Sequence, residues 1–544
     1  MQSYLSHLRT YPHYWTQLWQ KNETLQTETF IKLCLRTLAL ILLYIVADRL
    51  LMRISHLPFS YYRQPIIYLG FLQYVFSSWY AFPVLAVVIT AIYFRRTLVR
   101  PWTDFEHGTS LKFLVTLAAA LLAWNYATYD YNLYFNRAHY ADRVIILGSV
   151  ILIYWRPVFV LPFLTVLLPV MWQFTVLVAL SWAAPFLLLR LLTLFVACFA
   201  IQVVTKNFPT RDFVFLTGCL FAAHYWLSGW GKWTWEWVRY DQILMIFPYG
   251  YANGWLRDMN PDAMLGVLRT LTPLNGLFKM LVLLLEFGAF LFFYSRKSPL
   301  LFLIGWIFFH AGVLLLSGIC FYMWAVLHLG LLWLFLRRQG FLTLPIFTRS
   351  HIVLSTLLII SGNYWCKPVQ LFWYDLPFSY SYGVDVTTTD GQRRELPPTF
   401  FSPYDYQFIM SGLAYLASHP MVLLSDARKD AAGARKLMTL QSADAFFVAE
   451  KFQGRVKYDA NSANTFDLFI KEFVKNWNDR QSRETLFSHF QAPSLLWNHR
   501  IGTSIRDPNP GKIARIRIFQ TTSFFSEDHY EEVRKIFIYE RAFE

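Results

Sequence analysis

The sequence predicts an all-α polytopic membrane domain followed by a mixed α/β, strand-containing soluble domain, and three observations carry that prediction. Of the 544 residues, 56% are hydrophobic and only 15% charged, and the charged ones cluster between long uncharged runs. Those runs approach the roughly 20 residues that a helix needs to cross about 30 Å of hydrocarbon. Lipid offers no partners for open backbone groups, so helices must fill them. After Cys366 the charges scatter, and Pro397-Pro398 and Pro508-Asn509-Pro510 punctuate the chain, as in a soluble domain with a core of its own.

Residues 1–30 are polar and aromatic and read as a cytoplasmic N-terminal segment. The first apolar run begins near Ile31, so no cleavable signal peptide is expected and the first span stays in the chain. Within 31–365, hydropathy places spans near 31–52, 80–95, 111–128, 143–156, 157–173, 178–204, 213–231, 274–294, 299–318, 319–336 and 350–365, which predicts about nine to eleven transmembrane helices. Segment 57–79 reads as interfacial. The pair meeting at Trp155-Arg156-Pro157 reads either as two short spans or as one broken helix. The 21 Trp and 32 Tyr suit the wet edges of a bilayer.

A formal charge of +15 raises the question of nucleic acid, but much of the excess lies in short loops beside apolar runs, such as Arg95-Arg96, Arg296-Lys297 and Arg337-Arg338. There it acts as a topology signal, and the expected partner is the lipid bilayer, with no nucleic acid. With the spans as drawn, the basic loops at 95–100, 205–211, 296–297 and 337–349 share one side, taken as the cytoplasm. The loops at 129–142 and 231–273, and all of 366–544, then face outward, which predicts a cell-membrane protein with an extracytoplasmic C-terminal domain. Cys34, Cys198, Cys219, Cys320 and Cys366 form no CxxC pair and mostly lie in apolar segments, so neither a disulfide framework nor a thiolate metal site is expected.

In the C-terminal domain, Val384 to Thr389 followed by Asp390-Gly391 reads as a strand entering a hairpin turn. Further strands are expected at 514–520 and 535–539, and helices at 404–418, 426–453 and 464–478.

Lys232 closes the apolar run His224-Tyr225-Trp226-Leu227-Ser228-Gly229-Trp230-Gly231-Lys232, with Trp233, Trp235 and Trp237 just beyond. An ammonium among indole rings is poorly solvated, so such surroundings favour the free amine, which can act as a base. The competing reading is an interfacial lysine whose stem lies along the rings while its head reaches the headgroups. His139 lies in a loop on the expected outer side, either as an ordinary loop histidine or as an imidazole that steadies developing negative charge. Glu286 and His310 fall well inside apolar helices, where ionisable groups face a protein-lined space and pair with something, each being a candidate partner for the other.

Taken together, these positions resemble the HTTM family of vitamin K-dependent carboxylase-like membrane proteins. Tyr225-Trp226-Leu227-Ser228-Gly229-Trp230-Gly231-Lys232-Trp233, followed by Trp237, is similar to the family's Y-F-x-A-G-x-x-K-L-x-x-x-W motif, with Lys232 on its catalytic lysine. Phe309-His310, with Ser317-Gly318-Ile319-Cys320-Phe321-Tyr322-Met323, resembles F-H-x-x-N and I-G-x-F-x-x-M. Asn136-Arg137-Ala138-His139-Tyr140 resembles N-N-H-x-Y, whose histidine assists the chemistry. The resemblance spans roughly residues 30–340. It implies catalytic roles for Lys232 and His139, and substrate- or quinone-binding roles for Tyr225, Trp237, Glu286 and His310.

The implied chemistry is that Lys232 takes a proton from a reduced quinone, a vitamin K-type hydroquinone being one candidate. Reaction with O2 then supplies a strong base that deprotonates a peptide or small-molecule substrate on the outer face, with CO2 as a further candidate reactant and no metal. Pro248 stands where the family has an arginine that holds a glutamate. Two other readings stay open: a non-catalytic membrane scaffold or maturation partner, and a transporter whose Glu286 and His310 line a path.

Overall fold

The computed structural model describes residues 27–177, 183–234, 237–239, 242–256, 258–337, 340–368, 376–408, 412–423, 431–493 and 509–543. Helix α1 (Thr27–Ser55) is followed by α2 (Ile67–Phe76) and α3 (Ala81–Tyr93), a pair bent by 102°. Then come α4 (Gly108–Ala127), α5 (Tyr140–Trp155), α6 (Val160–Trp172), α7 (Ala183–Thr205) and α8 (Thr210–Thr234). The helical part closes with α9 (Gln242–Ala252), α10 (Pro261–Leu271), α11 (Asn275–Phe287), α12 (Ser298–Ser317), α13 (Tyr322–Leu336) and α14 (Arg349–Ile360).

Among the described residues, six helices are long and apolar enough to cross a membrane, or seven if the bent pair is one span. The larger number expected from hydropathy differs for two reasons. Helices α5, α13 and α14 run only 16, 15 and 12 residues, and the uncharged middle of α8 is diluted by Thr217, Gly218, His224, Tyr225, Trp226, Ser228 and Gly229. At Trp155-Arg156-Pro157 the backbone of Arg156 is extended, with φ −143° and ψ 135°. This ends α5, so the junction joins two helices that pack on each other and not one broken rod.

Helix α8 is the axis of the bundle, buried without interruption from Phe213 to Gly229 and packed by α7, α11 and α14. A helix with ionisable residues is stable there because Asp212 pairs with Arg36 and Lys232 with Glu286. All five cysteines are free, and Cys198, Cys219, Cys320 and Cys366 are buried.

In the C-terminal region β1 (Phe378–Thr388), β2 (Arg393–Leu396), β5 (Ile513–Phe525) and β6 (Tyr530–Ala542) form an antiparallel sheet in the order β2-β1-β5-β6. Val384 is the register point, opposite Leu396 on one side and Ile518 on the other. The β1–β2 turn falls at Asp390-Gly391 as expected, and Gly391 supplies its left-handed position at φ +82°. A short ladder pairs β3 (Pro420–Met421) with β4 (Arg455–Val456).

Three helices accompany the strands: α15 (Ala431–Met438), α16 (Ala443–Gln453) and α17 (Ala460–Arg480). The single helix expected over 426–453 is thus two, because Ser442 leaves the helical path and caps α16 by accepting from the Ala445 amide at 3.1 Å; residues 426–430 lie outside the described ones. The helix expected at 404–418 is replaced, among the described residues, by short turns at Asp405–Phe408 and Ala414–Leu416. Tyr404 and Phe408 are drawn apart into the core, one ring against Phe469 and the other stacked on Phe401.

One hydrophobic cluster runs without a break from the bundle into the sheet and α17. Polar bonds cross the same boundary. Tyr404 Oη donates to Asn132 Oδ1 at 3.1 Å, Asn476 Nδ2 to the Leu133 carbonyl at 2.7 Å, and Asn253 Nδ2 to Ser379 Oγ at 3.0 Å. The connections after α4 and α9 therefore both face the C-terminal region. Elsewhere, Arg100 Nη1 donates to the Lys206 carbonyl at 2.8 Å and Thr210 Oγ1 to the Glu106 carbonyl at 3.1 Å, so two basic loops grouped by charge also meet in space.

Candidate functional site

Gly218, Phe221, Tyr225, Gly229 and Lys232 recur at helical spacing and form one face of α8. Two glycines let that face approach its neighbours. A Cβ at Gly218 would lie 2.4 Å from the Phe293 ring, and one at Gly229 would lie 2.5 Å from the Phe287 amide nitrogen and 2.8 Å from the Glu286 carbonyl carbon. At position 229 the obstacle is backbone, which cannot give way, so only glycine permits this contact between α8 and α11. The contact delivers Glu286 to Lys232, three residues further along α8.

Lys232 Nζ donates to both carboxylate oxygens, at 2.8 Å to Oε1 and 2.6 Å to Oε2. The two side chains are 13% and 4% exposed, so the pair is largely removed from water. The sequence names no partner for this amine, and here it has a carboxylate. Withdrawing two ions from water costs several kcal/mol for each. An ion pair in such a place therefore lies closer in energy than it would in water to the neutral amine–acid pair reached by moving one proton across the hydrogen bond.

The walls are aromatic. The buried Trp237 ring lies 5.7 Å from Nζ. Trp226 and Trp233 pack on Phe287 with ring centroids at 4.7 and 5.7 Å. Trp230, stacked on Trp226, is 46% exposed and Trp233 is 59% exposed, so a rim of indoles flanks Lys232 along the end of α8.

Seven residues before Lys232, the Tyr225 hydroxyl shares a 2.6 Å hydrogen bond with His310 Nε2 on α12. The Tyr225 ring lies flat on Trp306 at 4.0 Å. The Trp306 indole in turn donates to the Leu285 carbonyl at 3.1 Å, tying α12 to the end of α11 beside Glu286. His310 and Glu286, candidate partners in the sequence, are thus not bonded to each other: the carboxylate takes the lysine and the imidazole takes the tyrosine. The His328 ring on α13 lies 5.7 Å from that of His310 with its plane within 7°. His310 Nδ1 and both nitrogens of His328 are buried with no hydrogen-bond partner among the described residues.

His139 occupies a different network. It sits at φ +50° immediately before α5, 2% exposed. Its Nε2 donates to the Tyr62 carbonyl at 3.0 Å, and Nδ1 faces the Tyr129 hydroxyl at 3.5 Å. Burial, with help from the Arg143 and Arg137 charges, pushes its pKa down to about 4 against the opposing bond to Tyr62. The neighbouring Arg143 is fully buried and donates to the carbonyls of Ala138 at 2.7 Å and Asp130 at 3.1 Å and to that of Tyr129, bracing the loop. Among the described residues, no hydrogen bond, ion pair or ring contact links His139 to Lys232.

Two groups escape the sequence reading. His328 and Arg190 are both ionisable residues inside apolar runs, the same signal that singles out Glu286 and His310. Arg190 Nη1 donates to His224 Nε2 at 3.1 Å, while His224 Nδ1 donates to the Leu220 carbonyl at 2.7 Å, which fixes a neutral imidazole. No group of three or more His, Cys, Asp or Glu side chains that could hold a metal ion occurs among the described residues. No family model, curated protein or solved structure matches the chain.

Proposed function

We propose that this chain is an integral membrane enzyme of the HTTM type that uses the Lys232–Glu286 pair to take a proton from a reduced quinone. The bent pair, α5, α8, α13 and α14 join the six helices that are long and apolar enough to cross a membrane as spans, with the C-terminal region outside the cytoplasm. The observation that carries the reading is the amine held against a carboxylate in an aromatic, largely dry site. Glu286 accepts the lysine proton, leaving Nζ a lone pair with which to act as base, and the low polarity of the walls keeps that exchange inexpensive.

The exposed indoles of Trp230 and Trp233 suit a flat, lipid-soluble ring arriving sideways from the bilayer. A reduced quinone bound there supplies, with O2, the oxidative chemistry that a protein side chain lacks. The acceptor is a peptide or small molecule on the outer face, and CO2 is a candidate co-reactant. Pro248 stands where the resemblance calls for a substrate-holding arginine, which is why glutamate is not named as that acceptor.

The test uses membranes containing the full chain, a reduced naphthoquinone and O2, with quinol consumption followed by absorbance. Lys232→Ala is expected to lower turnover by about 10²- to 10⁴-fold, the range for loss of a general base. An unchanged rate in a folded Lys232→Ala protein overturns the proposal.

One observation favours a second reading, a non-catalytic scaffold or maturation partner: His139 is bound up with Tyr62 and Tyr129, apart from Lys232. In that case neither Lys232→Ala nor His139→Ala alters cellular function, while disruption of the C-terminal sheet does.

A further inference from the structure

Residues 483–492 belong to the C-terminal region, yet they are stitched to the ends of two bundle helices. The Tyr131 amide donates to the Arg483 carbonyl at 2.9 Å. The Trp124 indole on α4 donates to the Phe490 carbonyl at 2.7 Å, and the Ala492 amide to Thr128 Oγ1 at 3.2 Å. The Phe487 ring lies 6.3 Å from that of Tyr140, the first residue of α5. Within the segment, the Thr485 amide donates to Ser488 Oγ at 3.0 Å and the two hydroxyls bond at 2.9 Å, which fixes a tight turn.

That turn points two large apolar side chains outward, Leu486 at 72% exposure and Phe490 at 71%. In water each would leave most of its apolar surface wet, forgoing the gain of burial. Their position explains the arrangement. Tyr140, Val144, Ile151 and Trp155 on α5 are exposed at helical spacing, 47%, 58%, 71% and 63%, so α5 presents an apolar stripe along its length. Leu486 and Phe490 stand at the end of that stripe, since the adjacent Phe487 ring faces Tyr140 and the Phe490 carbonyl takes the Trp124 indole, and Trp and Tyr are the residue types that settle where hydrocarbon gives way to headgroups.

We propose that residues 485–490 form an interfacial membrane anchor: Leu486 and Phe490 insert at the headgroup–acyl boundary and fasten the C-terminal region to the bilayer surface. The occupant is lipid and not a protein partner, because the patch adjoins the exposed apolar face of α5 at Tyr140 and the end of α4 at Trp124, and α4 is itself long and apolar enough to span. The inference rests on the bundle lying in a bilayer and is independent of any catalysis.

The test places single spin labels on the full chain in phosphatidylcholine nanodiscs through Leu486→Cys, Phe490→Cys, Ile151→Cys on the α5 stripe and Asp390→Cys on the hairpin turn. Relative collision with oxygen and with a water-soluble nickel chelate reads depth. Labels at 486 and 490 are expected between the other two, near the boundary. If either shows the chelate accessibility of the label at 390 while the label at 151 reads as lipid, the anchor is overturned. If the label at 151 also reads as aqueous, the bilayer placement of α5 fails, and the anchor with it.

Discussion

Glu286 grips Lys232 with both carboxylate oxygens, 2.8 and 2.6 Å from Nζ, at the level where Gly229 lets the backbones of α8 and α11 touch. The pair is thus a product of helix packing, and its energetics can be separated from its chemistry.

Lys232→Met strands a carboxylate that is 4% exposed. The expected cost is about 3–5 kcal/mol, the range for breaking a buried pair from one side. The double variant Lys232→Met/Glu286→Leu removes both charges and is expected to recover most of that loss. Thermal unfolding in detergent micelles measures both. Equal losses in the single and double variants would mean the two groups do not share an energy.

Gly229→Ala drives a methyl group into backbone 2.5 Å away, so α8 and α11 must separate. The expected loss is about 1–3 kcal/mol, and under the proposed function quinol turnover is expected to fall as for Lys232→Ala. Gly148→Ala on α5 is the control, since nothing lies within 4 Å of its added Cβ. There a gain of about 0.5–1 kcal/mol is expected from helix propensity.

His139 titrates near 4 when folded, below its ordinary value of 6.5, because burial penalises the imidazolium. Above pH 6.5 both folded and unfolded chains hold it neutral, and it contributes no pH dependence. Between 6.5 and 4 the unfolded chain binds the extra proton, so stability falls with pH across that window by something on the order of 3 kcal/mol and levels off below it. Unfolding midpoints for the parent and His139→Gln between pH 7 and 4 should diverge in slope. Parallel curves would refute the assignment.

Arg143→Met removes the donors that satisfy the carbonyls of Ala138, Tyr129 and Asp130, together with a 3.4 Å bond to Thr485 Oγ1. Orphaned buried carbonyls cost about 1–3 kcal/mol each. Faster amide exchange is expected in two segments distant in sequence, 128–139 and 483–492. Loosening of the first alone would show that Arg143 does not couple them.

The long apolar runs, the β1–β2 hairpin and the ionisable residues at 232, 286 and 310 are legible in the sequence because hydrophobic periodicity and the cost of burying charge are local signals. Pairing is not. Whether Glu286 meets His310 or Lys232 depends on how α8, α11 and α12 are rotated about their axes, and that is decided by where Gly218 and Gly229 allow close approach. The missing helix at 404–418 has the same cause, since aromatic rings wanted by Phe401 and Phe469 outweigh local propensity. His328 carries the same local signal as His310, an imidazole inside an apolar run, and its place beside that ring makes it conspicuous.

In the proposed enzyme, the exposed rings of Trp230 and Trp233 beside Lys232 are where the quinol enters. Its effective supply is then its mole fraction in the membrane and not its aqueous molarity. Occupancy at fixed total ligand should then drop as inert phospholipid is added, a surface-dilution behaviour that a water-facing mouth would not produce.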